Sequence, residues 1–124
     1  MIAALQILIR LTALIAGTLL LGAIAYVSFT PNDLGLPLLP APASDKVNHL
    51  AGCYALTLLA LTALPGLRPS RLAALIILAG GAVELVQGEI GREAALSDVL
   101  ANLAGVLAAI LPFWLARLGK GRET

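Results

Sequence analysis

The sequence predicts an all-α membrane protein, a compact antiparallel bundle of four transmembrane helices with both termini in the cytoplasm. Hydrophobic residues make up 60% of the chain and charged residues only 12%, about half the charged fraction of an ordinary soluble domain. Breaks rich in proline, glycine and polar residues divide the apolar sequence into four runs. Lysine and arginine concentrate in alternate connectors, as in multi-pass proteins. At 124 residues the chain fits a single domain over 1–124.

The first helix is expected at about residues 5–29. Positions 11–29 supply 19 mostly apolar residues, close to the roughly 20 that a spanning helix needs. Pro31 and the Asx residues after it end the run. A secretory signal peptide cleaved after residues 23–25 is the alternative. The apolar run continues past that site to Phe29, which favours a membrane helix.

The second helix is expected at about residues 45–64. The proline-rich connector before it is either a stiff loop at the membrane interface or an apolar lid over a site. Ser44 suits the N-cap position, and Asp45 would meet the positive end of the helix dipole. The wholly apolar part that follows is short. This helix therefore reaches spanning length only if its polar beginning is included.

The third and fourth helices are expected at about residues 71–88 and 97–116. The apolar part of the third stops at Val83, and Pro112 is expected to kink or loosen the last turns of the fourth. Both helices need their polar ends to reach spanning length. Polar residues at those depths should face protein or water rather than lipid, because charge in the bilayer is costly.

The basic residues predict which ends of the helices face outside. They precede the apolar run of helix one, lie between helices two and three, and follow helix four, so these segments are expected in the cytoplasm. The start of helix two, the end of helix three and the start of helix four would then meet on the extracytoplasmic side. The residues that set this pattern are Arg10, Arg68, Arg71, Arg117, Lys120 and Arg122.

Helices two and four begin with similar sequences. Residues 44–55 and 97–108 match at six of twelve positions, and the alignment pairs His49 with Asn102. They are either parallel repeats about an axis along the membrane normal or a chance match between common apolar residues. On both helices a glycine, Gly52 or Gly105, continues the polar face and would let a neighbouring helix approach closely.

The polar residues with this spacing resemble the VanZ-like family of small membrane proteins, named for a protein linked to low-level resistance to the glycopeptide antibiotic teicoplanin. The resemblance implies a multi-pass protein of the bacterial cytoplasmic membrane with a role in the cell envelope. It covers residues 45–105 and rests on Asp45-Lys46-x-x-His49, Glu84-x-x-Gln87, Arg92 and Ser97-Asp98-x-x-x-Asn102-x-x-Gly105.

Eight polar residues are the candidate site. The acid–base candidates, which would be catalytic in an enzyme, are His49, Asp45, Glu84 and Asp98. The candidates for substrate binding are Lys46, Gln87, Arg92 and Asn102. Each of these residues can instead have a purely structural role. Acids stabilise helix starts, a lone histidine is often only a packed core residue, and Arg92 can be the counterion of an acid in a loop. Cys53 is expected to be a small buried hydrophobe.

Three functions remain open at the level of sequence. The first is binding of an anionic lipid or envelope-glycan headgroup, with Arg92 and Lys46 gripping phosphate or carboxylate. The expected partners are membrane lipids or a lipid-linked envelope precursor. A net charge of +1 gives no basic field for nucleic acid. Against headgroup binding, Asp45 and Asp98 already occupy the positive helix ends.

The second function is an intramembrane hydrolase or transferase acting on lipid-linked phosphate. His49 would be the base or nucleophile, Asp45 or Glu84 would orient it, and Arg92 would stabilise developing charge. The third is a structural protein whose polar residues only fix the bundle. No cofactor is expected, although a bound divalent metal ion is an alternative. The four acid–base residues would hold that ion, because oxygen ligands with one histidine suit a hard or borderline ion.

Overall fold

The computed structural model describes residues 1–29, 43–89 and 96–121, with side chains from residue 46 onward in the second of these ranges. Within them the chain is all-helical and forms four helices, as the sequence predicts. Asp45, as a side chain, and Arg92 lie outside the described part. The helices are α1 (Ile2–Phe29), α2 (Ala43–Ala63), α3 (Pro69–Glu89) and α4 (Leu96–Lys120).

The helix ends follow local chemistry. α3 begins at Pro69, two residues before the expected start, because proline fits the first helical position, where its missing N–H is not needed. α4 contains Pro112 and continues to Lys120, four residues beyond its expected end. One lost backbone hydrogen bond costs less than leaving a whole turn unpaired among apolar groups.

Three of the helices are long and apolar enough to cross a membrane, namely α1, α3 and α4. α2 has 21 residues, the same length as α3, but its first turns contain Lys46, Asn48 and His49 and lower its apolar content. The described part of the chain therefore has the composition of a membrane protein. The crossing of the membrane by all four helices stays a prediction.

The pairs of facing residues give the directions of the helices. Gly17 of α1 faces Leu59 of α2. Closer to the other end, Gly52 of α2 faces Ile24 of α1. Residue numbers thus rise on one helix as they fall on the other, and α1 and α2 are antiparallel.

α2 and α4 run in the same direction and form the most extensive helix contact in the described structure. His49 faces Asn102 at one end. At the other end Leu61 and Phe113 line one cavity. α3 and α4 are antiparallel. Glu84, late in α3, lies near Asp98, early in α4, while Ala73, early in α3, packs with Ile110, later in α4. The order is therefore up, down, up, down.

The apolar core lies between α2, α3 and α4. Ala73, Val106 and Ile110 are buried at its centre. α1 packs against α2 at the side of this core, and its buried residues are Ala13 and Ser28. Large aliphatic side chains cover the outside of the bundle, as a lipid-facing surface would require. Examples are Leu8, Leu19, Leu78 and Leu118.

Candidate functional site

A buried polar cluster lies where the first turns of α2 and α4 meet the last turns of α3. Glu84 and Asp98 are 4% and 7% exposed. His49 is half-buried and Asn102 is buried. Three helices contribute to it, so sequence-predicted residues from α2, α3 and α4 come together at one end of the bundle. The polar cluster consists of His49, Glu84, Asp98 and Asn102.

The side chain of Asn102 connects two residues of α2. His49 Nδ1–H donates to Asn102 Oδ1 at 3.0 Å, because an amide oxygen can only accept. The Cys53 thiol donates to the same oxygen over 3.4 Å. A neutral imidazole that donates from Nδ1 has its lone pair on Nε2. Asn102 therefore fixes both the position and the tautomer of His49.

Two carboxylates lie beside this imidazole. Glu84 Oε1 is 3.8 Å from His49 Nδ1. One possible ligand atom from each of His49, Glu84 and Asp98 lies within 4.8 Å of the other two. Asp98 is in the first turn of α4, where the helix dipole favours a negative charge. Burying two carboxylates at this separation is unfavourable unless protons or a cation offset their charge.

Small residues allow the helices to approach closely enough to form the cluster. A Cβ atom on Gly105 would collide with the Leu50 carbonyl oxygen and lie 3.1 Å from the Tyr54 backbone nitrogen. A Cβ on Gly80 of α3 would be 3.2 Å from Asn102 Nδ2. The close approach at Gly105 that the sequence predicts is therefore present between α2 and α4. Gly52 instead faces α1.

Two predicted binding residues lie away from the centre of the cluster. Gln87 is buried, and its Nε2 donates to the Ser28 carbonyl oxygen at 3.1 Å. The last carbonyls of a helix have no partner within that helix, so Gln87 of α3 helps to cap α1. Lys46 is exposed at the start of α2. The predictions for Asp45 and Arg92 fall outside the described side chains.

The sequence reasoning missed Ser28 and Thr57 and assigned Cys53 to apolar packing alone. Cys53 does pack beside the apolar core, and its thiol also contacts Asn102. Thr57 is fully buried and donates to the Cys53 carbonyl oxygen at 2.6 Å. Its position four residues after Cys53 was the available signal, since threonine often donates to the carbonyl four residues earlier in a helix.

A basic cavity of about 340 Å³ lies at the opposite end of the bundle. Arg68, from the α2–α3 turn, and Arg117, from the end of α4, line it together with Phe113. The turn is closed by a hydrogen bond from the Leu67 N–H to the Leu64 carbonyl at 3.0 Å. The described molecule therefore has a polar cluster at one end and basic side chains at the other.

The fold and the site together define a class of protein, a helical bundle with membrane-length helices and a buried His/Glu/Asp/Asn cluster near one end. Comparison with family models, curated proteins and solved structures gives no match. Membership of the VanZ-like family therefore stays a prediction from the sequence. Arguments about function depend on the geometry of the cluster itself.

Proposed function

We propose that this chain is a VanZ-like multi-pass protein of the bacterial cytoplasmic membrane. In this proposal all four helices cross the bilayer, the termini are cytoplasmic and the polar cluster is reached from the extracytoplasmic side. The distribution of charge supports this orientation, because Arg68 and Arg117 meet at the end opposite the cluster and positive residues favour the cytoplasmic side. The 21 residues of α2 are long enough to cross.

We further propose that the polar cluster binds the headgroup of an anionic lipid or a lipid-linked envelope precursor, with a role in envelope homeostasis or glycopeptide resistance. The observation that carries this proposal is the burial of Glu84, Asp98 and Asn102 beside His49 at one end of three helices. Ionisable groups at membrane depth are costly and usually serve a function. Headgroups, with their hydroxyls, amines and phosphates, offer complementary groups at that depth.

Lys46 supplies the positive charge that an anionic headgroup needs at this end of the bundle. It is exposed and lies one turn before His49 on α2. Its ammonium can reach a phosphate at the membrane surface while the cluster binds uncharged or cationic parts of the headgroup. Two carboxylates in the cluster would repel a phosphate placed directly among them. The anionic part of the ligand is therefore expected near Lys46.

Lipid retained by the purified protein tests this function. Wild type, Asn102→Ala and Lys46→Gln are extracted from the same membranes, and bound lipid is identified by native mass spectrometry. We expect one lipid class to be enriched on wild type and reduced on both variants. Arg10→Gln, at the start of the chain, is the matched control for loss of a charge. Equal lipid profiles for all four proteins would contradict the proposal.

Catalysis on a lipid-linked phosphate is the second candidate function. It is favoured by the contact between His49 and Glu84 at 3.8 Å, with Asn102 fixing the ring. A histidine fixed beside a carboxylate can act as a general base or nucleophile. Turnover of lipid-linked phosphates by wild type and His49→Ala tests it. An unchanged rate in the variant would remove His49 from the reaction.

A structural role for the cluster makes a different prediction. Interhelical hydrogen bonds in membranes contribute on average only about 0.6 kcal/mol each. If the cluster only fixes the bundle, loss of function should follow loss of stability in every variant of the cluster. A folded variant that does not bind lipid would exclude that reading.

A further inference from the structure

We propose that His49, Glu84 and Asp98 form a binding site for one divalent transition-metal ion, with zinc or manganese as the chemical class. This inference does not depend on headgroup binding, since it concerns only the three side chains and an ion. The three residues come from α2, α3 and α4 respectively. An ion at this point would therefore connect three helices.

The distances suit a single ion. One ligand atom from each residue lies within 4.8 Å of the other two. Three atoms that are each 4.8 Å apart lie about 2.8 Å from their common centre, whereas metal–ligand distances are about 2.0–2.2 Å. Each ligand atom therefore needs to move towards the ion by up to about 0.6–0.8 Å, a shift on the scale of side-chain rotation.

Burial and charge also favour a cation. Glu84 and Asp98 are each more than nine-tenths buried. Asp98 makes no hydrogen bond or ion pair within the described structure, although its carboxylate points towards the other two ligands. Buried charges are normally paired or bound to a metal. The α4 dipole offsets only part of the charge on Asp98, since a helix end corresponds to roughly half an elementary charge.

The donor set selects the class of ion. One imidazole nitrogen with two carboxylate oxygens suits borderline ions such as Zn²⁺ and Mn²⁺, whereas Ca²⁺ and Mg²⁺ prefer oxygen alone. Metal-binding histidines almost always donate their second ring N–H to a protein oxygen. His49 does this through the 3.0 Å hydrogen bond to Asn102. That bond leaves Nε2 with the lone pair, so in the metal-bound state the ligand atom is Nε2 rather than the Nδ1 that lies 3.8 Å from Glu84 Oε1.

Metal binding by the full chain tests the site. The protein carries a tag without histidine, is treated with chelator, loaded with Zn²⁺ or Mn²⁺ in phosphatidylcholine nanodiscs, and dialysed. We expect one equivalent of metal on wild type, and affinity reduced about 100-fold or more in Glu84→Gln and Asp98→Asn, because even residues that only orient a ligand change affinity 10–100-fold. Glu89→Gln, an exposed acid on the same helix, should bind like wild type.

A spectroscopic measurement on wild type covers the case in which the cluster variants fail to fold. The chain contains a single histidine, so hyperfine coupling of bound Mn²⁺ to an imidazole nitrogen must come from His49. Wild type that binds no Zn²⁺ or Mn²⁺ would overturn the proposal. So would binding of Mn²⁺ without this coupling, or metal binding of equal strength in Glu84→Gln and Asp98→Asn. Because phosphatidylcholine is zwitterionic, failure of anionic headgroup binding would leave these results unchanged.

Discussion

Gly105 sets how closely α2 and α4 approach, and the geometry of the polar cluster depends on that distance. The backbone of α2 at Leu50 occupies the space that any side chain at position 105 would need. His49, one residue earlier, then lies 3.0 Å from Asn102, three residues before Gly105. The absence of one Cβ atom on α4 therefore positions the histidine of α2.

Gly105→Ala should destabilise the bundle by about 1–3 kcal/mol, the usual cost of overpacking. Backbone atoms block the added methyl group, so no side chain can rotate away. Gly22→Ala on α1 is the matched control, since a Cβ there meets nothing within 4 Å. The control should be neutral or slightly stabilising, because alanine favours helix by up to about 1 kcal/mol. Reversible unfolding in bicelles measures both, and equal stabilities would refute the close approach.

The hydrogen bond between His49 and Asn102 should appear as an energetic coupling between the two residues. In a double-mutant cycle of His49→Ala and Asn102→Ala we expect a coupling of about 0.6 kcal/mol and at most about 1.7 kcal/mol, the range of such bonds in membrane proteins. His49→Ala combined with Thr62→Ala is the control, as Thr62 is exposed and its hydrogen bond within the described residues is to the Leu58 carbonyl of the same helix. A cycle with no coupling would show that the imidazole is not bound to Asn102.

At the scale of helices, Gln87 connects α3 to the end of α1. Its bond to the Ser28 carbonyl caps a helix whose other contacts are mainly with α2. Gln87→Leu should destabilise the fold by about 0.6–1.7 kcal/mol and should increase protease cleavage after α1. Leu85→Ala, at a position 75% exposed on the same helix, is the control and should change neither. Equal cleavage of wild type and Gln87→Leu would argue against the cap.

The sequence predicts the helices well because their signals are local. Apolar runs, Pro31 and the polar start of α4 are sufficient to expect four helices, and four are present in the described ranges. It places the end of α4 near residue 116, four residues short of Lys120, because the need to pair backbone groups within apolar surroundings extends the helix beyond Pro112. The kink expected at Pro112 stays a prediction.

The contacts between helices are harder to predict from sequence. The spacing of His49, Glu84, Asp98 and Asn102 indicates which end of each helix is polar, and orientation from the basic residues groups those ends together. The rotation of each helix about its axis is set by packing. That is why Gln87 bonds to Ser28, in α1, and why Cys53 reaches Asn102, neither of which spacing alone indicates.

At the scale of the whole molecule, the two ends of the bundle differ in chemistry. One contains the polar cluster, and the other contains Arg68 and Arg117 around a single cavity. This asymmetry predicts an orientation in the membrane. α2 connects the two ends, so the orientation can hold only if α2 crosses the bilayer despite its polar first turns.

Cysteine labelling on either side of α2 tests the crossing and the orientation together. In a Cys53→Ala background, single cysteines replace Lys46, exposed at the start of α2, or Ser70, exposed at the start of α3. In right-side-out vesicles a membrane-impermeant maleimide should label Lys46→Cys at once and Ser70→Cys only after permeabilisation. Labelling of both before permeabilisation would mean that α2 does not cross. The reverse pattern would place the polar cluster on the cytoplasmic side, where an extracytoplasmic headgroup could not reach it.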